Sequence, residues 1–303
     1  MKEIIRITVG LTVSCLIAAF VMGTVFAITD KAKKHNEHMK VQRTMLGLLG
    51  YTDSNGPPSD LNFHSIYRYV LEEGDKTTLG YLVPVIKEGK ERYKFLNVDL
   101  DGNFIKDFDL SIDPEKAVEA SERDKALKNT LGGSFTFTYG DEIIIATLGN
   151  KRIAYLLPGD FPGFKTFVKV MVALDSSFDI IGLEIMEHEE DPGLGGEIEK
   201  DYFKNQFVGK TFKTLNGLKV VKEPMPEEYR TFLETKKKTE LFSKEQIDEI
   251  MGKYRDHDIY ALTGATISSN AVTGGVRGIC GKFAYRIKIL DDVIRDQSIN
   301  PAF

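Results

Sequence analysis

The run from Ile7 to Thr29 carries no charge and consists mainly of Val, Ile, Leu, Ala and Phe. A bilayer core demands about 20 consecutive apolar residues per helix, because no water is there to satisfy stray backbone groups. This run is long enough to span one, and it exceeds the roughly 7–15 residues of a signal-sequence core. Val25-Phe26-Ala27 is a poor cleavage site, and Cys15 sits mid-run with Thr12 three places before it, which disfavours lipid attachment. Residues 1–29 are therefore expected to be an uncleaved, single-pass anchor in the lipid bilayer. Everything after it must build its core from the rest of the chain. Lys2 and Arg6 precede the run, and Asp30, Lys31, Lys33 and Lys34 follow it. Counting positive charge would put the body in the cytoplasm, but large domains are exported largely regardless of their charge.

Residues 32–50 scatter Met39, Val41, Met45, Leu46, Leu48 and Leu49 among polar residues and read as a helix leaving the membrane. Tyr51 to Pro58 is dense in turn formers, so 30–58 is expected to be a juxtamembrane helix and linker. Beyond it, strands are expected at Tyr81–Ile86, Tyr93–Leu100, Phe104–Leu110, Ser134–Tyr139, Glu142–Leu148, Ile153–Leu157, Thr166–Leu174 and Phe178–Met186. Gly140-Asp141 and Gly149-Asn150 are read as turns between them. Helices are expected over Pro114–Thr130 and over Ala271–Ile289, where Val272, Val276, Ile279, Phe283 and Ile287 recur every three or four residues. The fold class is α+β, antiparallel strands with packed helices behind a transmembrane helix. The expected divisions are 59–132, a domain over 133–290 with a solvated helical insertion at about 211–258, and a tail over 291–303. Leu100-Asp101-Gly102-Asn103-Phe104 echoes Leu174-Asp175-Ser176-Ser177-Phe178, each at a hairpin bend. A duplicated unit and ordinary turn chemistry both account for that echo.

A net charge of -5 without long basic tracts argues against a nucleic-acid partner. Two cysteines give no disulfide framework, and five scattered histidines give no zinc spacing, so no metal is expected. A GxGxxG with a following acidic residue is missing, which argues against a NAD site.

Two stretches concentrate unusual chemistry. In the first, Thr263-Gly264-Ala265-Thr266-Ile267 leads into Ser268-Ser269-Asn270, a cluster of the kind that caps helices. Thr266 is expected just ahead of a helix N-terminus, where unpaired N–H groups and the helix dipole suit a phosphate. Gly264 and Ala265 leave room for a bulky group to approach the main chain. In the second, His188-Glu189-Glu190-Asp191-Pro192-Gly193-Leu194-Gly195-Gly196 must be a loop, since Pro and three glycines forbid helix and central strand. Bare backbone at Gly193 and Gly195 admits a flat ring, Leu194 offers apolar contact, and Glu190 braces the loop or bonds near the ligand. Taken alone, one stretch is a turn with an N-cap and the other a glycine-rich turn. Tyr202, Phe203 and Phe207, in the segment Asp201–Lys210, read as core.

Thr-Gly-Ala-Thr followed by Ile-Ser-Ser resembles the Ser/Thr-Gly-Ala-Thr flavinylation motif of the FMN-binding subunits of Rnf and Nqr electron-transport complexes. The 188–195 loop resembles their His-x-Glu-Thr-Pro-Gly-Leu-Gly loop, and 202–210 their aromatic-x-x-Gln-Phe-x-Gly-Lys segment. The resemblance implies that Thr266 carries FMN through a phosphoester, installed by a separate flavin transferase using FAD. It also implies that Thr263, Gly264, Ala265, Ile267 and Ser268 surround the attachment. Glu190, Asp191, Pro192, Gly193, Leu194 and Gly195 are then expected against the flavin. Other membrane subunits are the implied partners, and the body is implied to face the outside of the cytoplasmic membrane. The sequence departs from the family at two places. Asp191 replaces Thr, and an added negative charge beside the ring would lower its potential. Tyr260 stands where the family has Asp, the nearest being Asp258.

The expected reading is an Rnf-type FMN subunit, with no catalytic residue of its own. Alternatives are the equivalent subunit of the sodium-translocating NADH:quinone reductase and a noncatalytic tethered sensor domain. A hydrolase using Thr266 or Ser268 lacks a base. For the same reason flavin attachment requires an external enzyme.

Overall fold

The computed structural model describes residues 1–303 apart from Asp53, Ser134 and Lys236 and the side chains of Ala27 and Lys31. Asp53 of the expected linker and Lys236 of the insertion thus lie outside the described residues.

Helix α1 (Lys2–Leu48) is continuous. One 18-residue window of it has a mean hydropathy of 2.3, which makes the helix long and apolar enough to cross a membrane. Leu11, Leu16, Phe20 and Phe26 are exposed along it, an arrangement that suits lipid. The hydroxyls of Thr8, Thr12, Ser14 and Thr24 donate to the carbonyl four residues back at 2.8–2.9 Å, so no bare O–H is offered to hydrocarbon.

From Leu48 onward the chain forms a second compact unit. Strands β1 (Leu61–Glu73), β2 (Lys76–Lys87), β3 (Lys90–Val98) and β4 (Phe104–Leu110) form a meander, and helix α2 (Ala120–Leu131) follows. A second meander is made by β5 (Thr136–Leu148), β6 (Lys151–Pro162), β7 (Phe167–Asp175) and β8 (Ile180–Glu187). The two share one antiparallel sheet in the order β4-β3-β2-β1-β5-β6-β7-β8. The echo seen in the sequence falls on the third hairpin of each but in a different register, Asp99 rather than Asp101 being the counterpart of Asp175. Asp99 Oδ1 accepts the N–H groups of Asp101 and Asn103 at 3.0 and 2.7 Å. Asp175 Oδ1 accepts those of Ser177 and Asp179 at 2.8 and 3.0 Å.

Three local expectations need correction. Strand β1 was not anticipated, because Asn62, Ser65 and Arg68 interrupt its apolar residues. Gly140-Asp141 is not a turn. β5 runs straight through it, and pairing steps from Arg68↔Asp141 to Tyr69↔Tyr139, leaving Gly140 as a bulge. A Cβ there would press on Arg68 at 3.2–3.4 Å. The helix foreseen from Pro114 begins only at Ala120, after turns in which Asp113 Oδ1 accepts the Glu115 N–H at 3.1 Å. Ser134 lies outside the described residues.

Alternation along the strands divides the core between the sheet's two faces. Ile66, Tyr81, Val83 and Leu96 pack with helix α8 (Thr266–Asp296), while Tyr67, Tyr69, Leu82 and Phe95 pack with Leu127 and Leu131 of α2. Between β8 and α8 come a 3-10 turn (Gly195–Glu199), α3 (Asp201–Lys204), α4 (Phe212–Gly217), β9 (Val220–Val221), α5 (Glu227–Glu234), α6 (Lys238–Leu241), α7 (Lys244–Tyr254) and β10 (Ile259–Tyr260), which pairs parallel to β9. Phe203 and Phe207 are fully buried, as expected. The insertion is not merely solvated, since Tyr229, Phe232, Leu233, Ile250 and Tyr254 make a small core of their own with Tyr260. The capping box at Ser243–Gln246 is formed. The tail runs beside β2, with the Ala302 N–H donating to the Pro84 carbonyl at 3.0 Å.

Candidate functional site

Helix α8 starts at Thr266 itself, with Ala265 at the N-cap position and no side-chain cap. The Ser-Ser-Asn cluster, expected as the cap, lies inside the first turns because its hydroxyls are used elsewhere. Ser269 Oγ accepts the Leu262 N–H and donates to the Ala265 carbonyl, both at 3.0 Å, stapling the turn before the helix. Ser268 donates to Glu190. Gly264, at φ +74, gives that turn a backbone conformation that other residues rarely adopt.

Glu190 is 5% exposed and ties three segments together. Its Oε1 accepts the N–H groups of Phe164 and Lys165 at 2.7 and 3.1 Å, and its Oε2 accepts the Ser268 hydroxyl. A Cβ at Gly163 or at Gly195 would come within 2.5 Å of a Glu190 oxygen, so both glycines make room for this carboxylate. The Glu190 N–H donates to His188 Nδ1 at 3.0 Å, and His188 Nε2 lies 2.7 Å from Glu199. An accepting Nδ1 puts the ring proton on Nε2 and leaves the imidazole neutral. Asp191 differs from Glu190. Its side chain is 43% exposed and pairs with Lys165 Nζ at 2.5 Å, which pushes the lysine's pKa up. Asp191 therefore brings its own counter-ion, and the buried charge of the loop belongs to Glu190.

Between the two stretches lies a cavity of about 260 Å³, lined by Phe164, Glu190, Asp191, Leu194, Gly195 and the run Gly264 to Ser268. Of the residues singled out in the sequence, Thr263, Pro192 and Gly193 are exposed and outside this lining. Phe164 was missed, although a Pro162-Gly163 turn carrying an aromatic tip was an available signal. Phe164, Leu194 and Ile267 are each about half exposed or more, giving the cavity an apolar rim. No Lys or Arg lines it. Among the described residues no group of His, Cys, Asp and Glu is suited to a metal ion.

The lead-in to the helix is held from below. The Tyr260 N–H donates to Gln206 Oε1 at 2.8 Å, and Gln206 Nε2 donates back to the Tyr260 carbonyl at 3.3 Å. Lys210 Nζ donates to the His257 and Arg255 carbonyls at 2.5 and 3.2 Å. Burial pushes this ammonium down to about 8. Tyr260 is itself buried and stacks on His257 with ring centroids 4.7 Å apart. Asp258 Oδ1 accepts the Lys219 N–H at 2.9 Å.

The parts suit FMN. An apolar rim fits a flat ring, and a hydroxyl at an uncapped helix start fits a phosphate.

Residues 163–279 match the FMN-binding domain family. The chain is 33% identical over 132 residues to the G subunit of the proton-translocating ferredoxin:NAD(+) oxidoreductase complex of Clostridium ljungdahlii, covering 44% of this chain and 54% of that protein. It is 33% identical over 73 residues to the G subunit of the ion-translocating oxidoreductase complex of Shewanella oneidensis, covering 23% of this chain and 34% of that one. The chain thus spans about half the length of the first of these relatives and about a third of the second. Among solved structures, the C subunit of the Na(+)-translocating NADH-quinone reductase of Parabacteroides distasonis matches with a TM-score of 0.33 and 17% identity, over 65% of this chain and 74% of that one. A likeness that low does not establish a common fold.

Proposed function

We propose that this chain, which carries an FMN-binding domain over residues 163–279, is the membrane-anchored electron-transfer subunit of an Rnf-type, ion-translocating oxidoreductase complex. Its FMN is esterified through the phosphate to Oγ1 of Thr266. The observation that supports this most is the make-up of the cavity. Thr266 opens a 31-residue helix in its wall, yet no cationic side chain lines it, and Glu190 and Asp191 do. A free phosphate dianion would gain only the helix end, roughly 0.3–1 kcal/mol, against two nearby carboxylates. An ester bond retains the cofactor without any such attraction.

The N–H groups opening α8 would receive the phosphate, and Phe164, Leu194 and Ile267 would hold the ring. Glu190 fixes the 163–166 hairpin to the helix. Bound FMN supplies the electron chemistry, and the protein supplies position and field. At about 260 Å³ the cavity is smaller than the roughly 300–1,000 Å³ that encloses a ligand of this size, so part of the ring stays open to an electron partner. That partner is another membrane subunit of the complex. A flavin transferase using FAD installs the cofactor, and the body sits on the extracytoplasmic side of the cytoplasmic membrane, tethered by α1.

Co-expression with a flavin transferase tests this. The protein is expected to fluoresce as a flavin band on a denaturing gel, and Thr266→Val to abolish the band with unchanged circular dichroism. A band that survives the substitution moves the attachment elsewhere. A dark wild-type band favours a tethered binding domain.

A further inference from the structure

We propose that Glu190 is the residue that holds the flavin of this pocket at low reduction potential, through a buried negative charge with no ion-pair partner in contact with it. The inference rests on FMN occupying the cavity between Leu194 and Thr266, and it reassigns to Glu190 the field that the sequence alone credits to Asp191.

The reasoning starts from the donors. Glu190 has three partners, the Phe164 and Lys165 N–H groups and the Ser268 O–H, and all three are neutral. They satisfy its lone pairs without cancelling its charge. The carboxylate is 5% exposed, so water screens it little, and it forms part of the cavity wall. No cationic group contacts it directly. Lys165 Nζ is turned to the exposed Asp191 and pairs there, and its attraction to Glu190 ranks behind that pairing. His188 is neutral and engaged with Glu199, and Glu189 is exposed. On α8 no charged residue occurs between Thr266 and Arg277. The helix start supplies roughly half a positive charge, which an ester phosphate on Thr266 would share.

One electron entering the ring adds a negative charge there unless a proton follows it. A fixed carboxylate alongside makes that electron harder to add and makes the reduced ring easier to protonate. Asp191, solvated and paired, exerts a much weaker field.

Glu190→Gln is close to isosteric. Its amide oxygen takes the two backbone N–H bonds, and its NH2 donates to Ser268 Oγ, so the clasp persists while the charge goes. The experiment is a dithionite redox titration, with mediators, of the flavinylated full-length protein in detergent. At a fixed poise, Glu190→Gln is expected to raise the reduced-to-oxidised ratio about tenfold or more, or roughly 59 mV for a one-electron couple. Asp191→Asn is expected to move it by less than a third of that shift. An unchanged or lowered potential in Glu190→Gln overturns the inference, as does an Asp191→Asn shift of equal size. Should Glu190→Gln fail to fold, Ser268→Ala keeps the charge and strips one neutral donor, and it is expected to lower the potential. An unchanged or raised potential in Ser268→Ala then overturns the proposal. Wild type that carries no flavin brings down the reading of the pocket, and this inference with it. A flavin-bearing protein indifferent to Glu190 brings down this inference alone.

Discussion

The two meanders of the sheet are close copies in frame and unlike in their connections. Strands β1 to β4 have 13, 12, 9 and 7 residues, and β5 to β8 have 13, 12, 9 and 8. Asp99 and Asp175 close the third hairpins with the same pair of backbone bonds. In the first meander, however, β2 and β3 are joined by the two residues Glu88 and Gly89. In the second, β6 and β7 are joined by 163–166, whose N–H groups meet Glu190 and whose tip carries Phe164 into the cavity. The frame is shared, and the candidate site depends on two extra hairpin residues and on the loop after β8. Loops on a rigid scaffold are where binding residues concentrate.

Each meander also has a buried cation packed on it, and the kinds differ. Arg123, over the first, donates to the Tyr69 hydroxyl at 3.1 Å and to the Ala117 carbonyl at 2.7 Å. An arginine stays charged at any pH a folded protein tolerates. Lys210, whose backbone pairs with the start of β8, is the one that titrates.

The comparison is broken most forcefully in the first meander. Phe95 fills the space over Gly80, where a Cβ would collide with its ring. Phe95→Ala is expected to cost about 3–5 kcal/mol in urea unfolding. It should leave the flavin band of the folded fraction intact. Loss of the band in folded protein would mean that the first meander shapes the cavity after all.

Lys210 gives the next largest effect. Its folded pKa of about 8 lies below the ordinary 10.5, so between those values the unfolded chain holds the proton and the folded one does not. Stability therefore rises with pH across that window, by roughly 3 kcal/mol for a shift of this size. Urea denaturation at pH 8 and pH 10 should show most of this rise in wild type and a flatter response in Lys210→Met. Equal slopes would mean that the ammonium is not buried in solution.

The smallest effect sharpens the third hairpins. Gly102 and Phe178 hold matching positions at φ +91 and +68, where only glycine is at ease. Phe178 is kept there by its ring, 5.6 Å from Tyr155 and 5.2 Å from Phe283. Phe178→Gly trades ring packing against relief of backbone strain, and a net loss of roughly 1–2 kcal/mol is expected. A gain in stability would mean that strain outweighs packing.

Much of this was legible in advance. The long apolar helix, strands β6 to β8 of the second meander, the capping box at Ser243 and the amphipathic α8 all announce themselves through unbroken local patterns. β1 escaped because Asn62, Ser65 and Arg68 interrupt its apolar residues, and it is fixed as a strand by pairing with β5, which lies far along the chain. The start of α8 was misjudged because Ser268 and Ser269 look like caps until their hydroxyls are seen to serve Glu190 and Leu262. Phe164 carries only the weak mark of the Pro-Gly turn before it, which any surface hairpin shares.

The sequence by itself determined which segment is long and apolar enough to cross a membrane, where most of the strands and the body of the final helix lie, and which two stretches are chemically odd. Those are properties of spacing along the chain, and spacing is what a sequence records. Only the tertiary structure decided that the two odd stretches share one cavity, that Asp191 is neutralised by Lys165, and that Glu190 is the charge left buried. Such facts depend on which groups meet across a sequence separation of 78, as Ser268 and Glu190 do, and on how much water remains beside them.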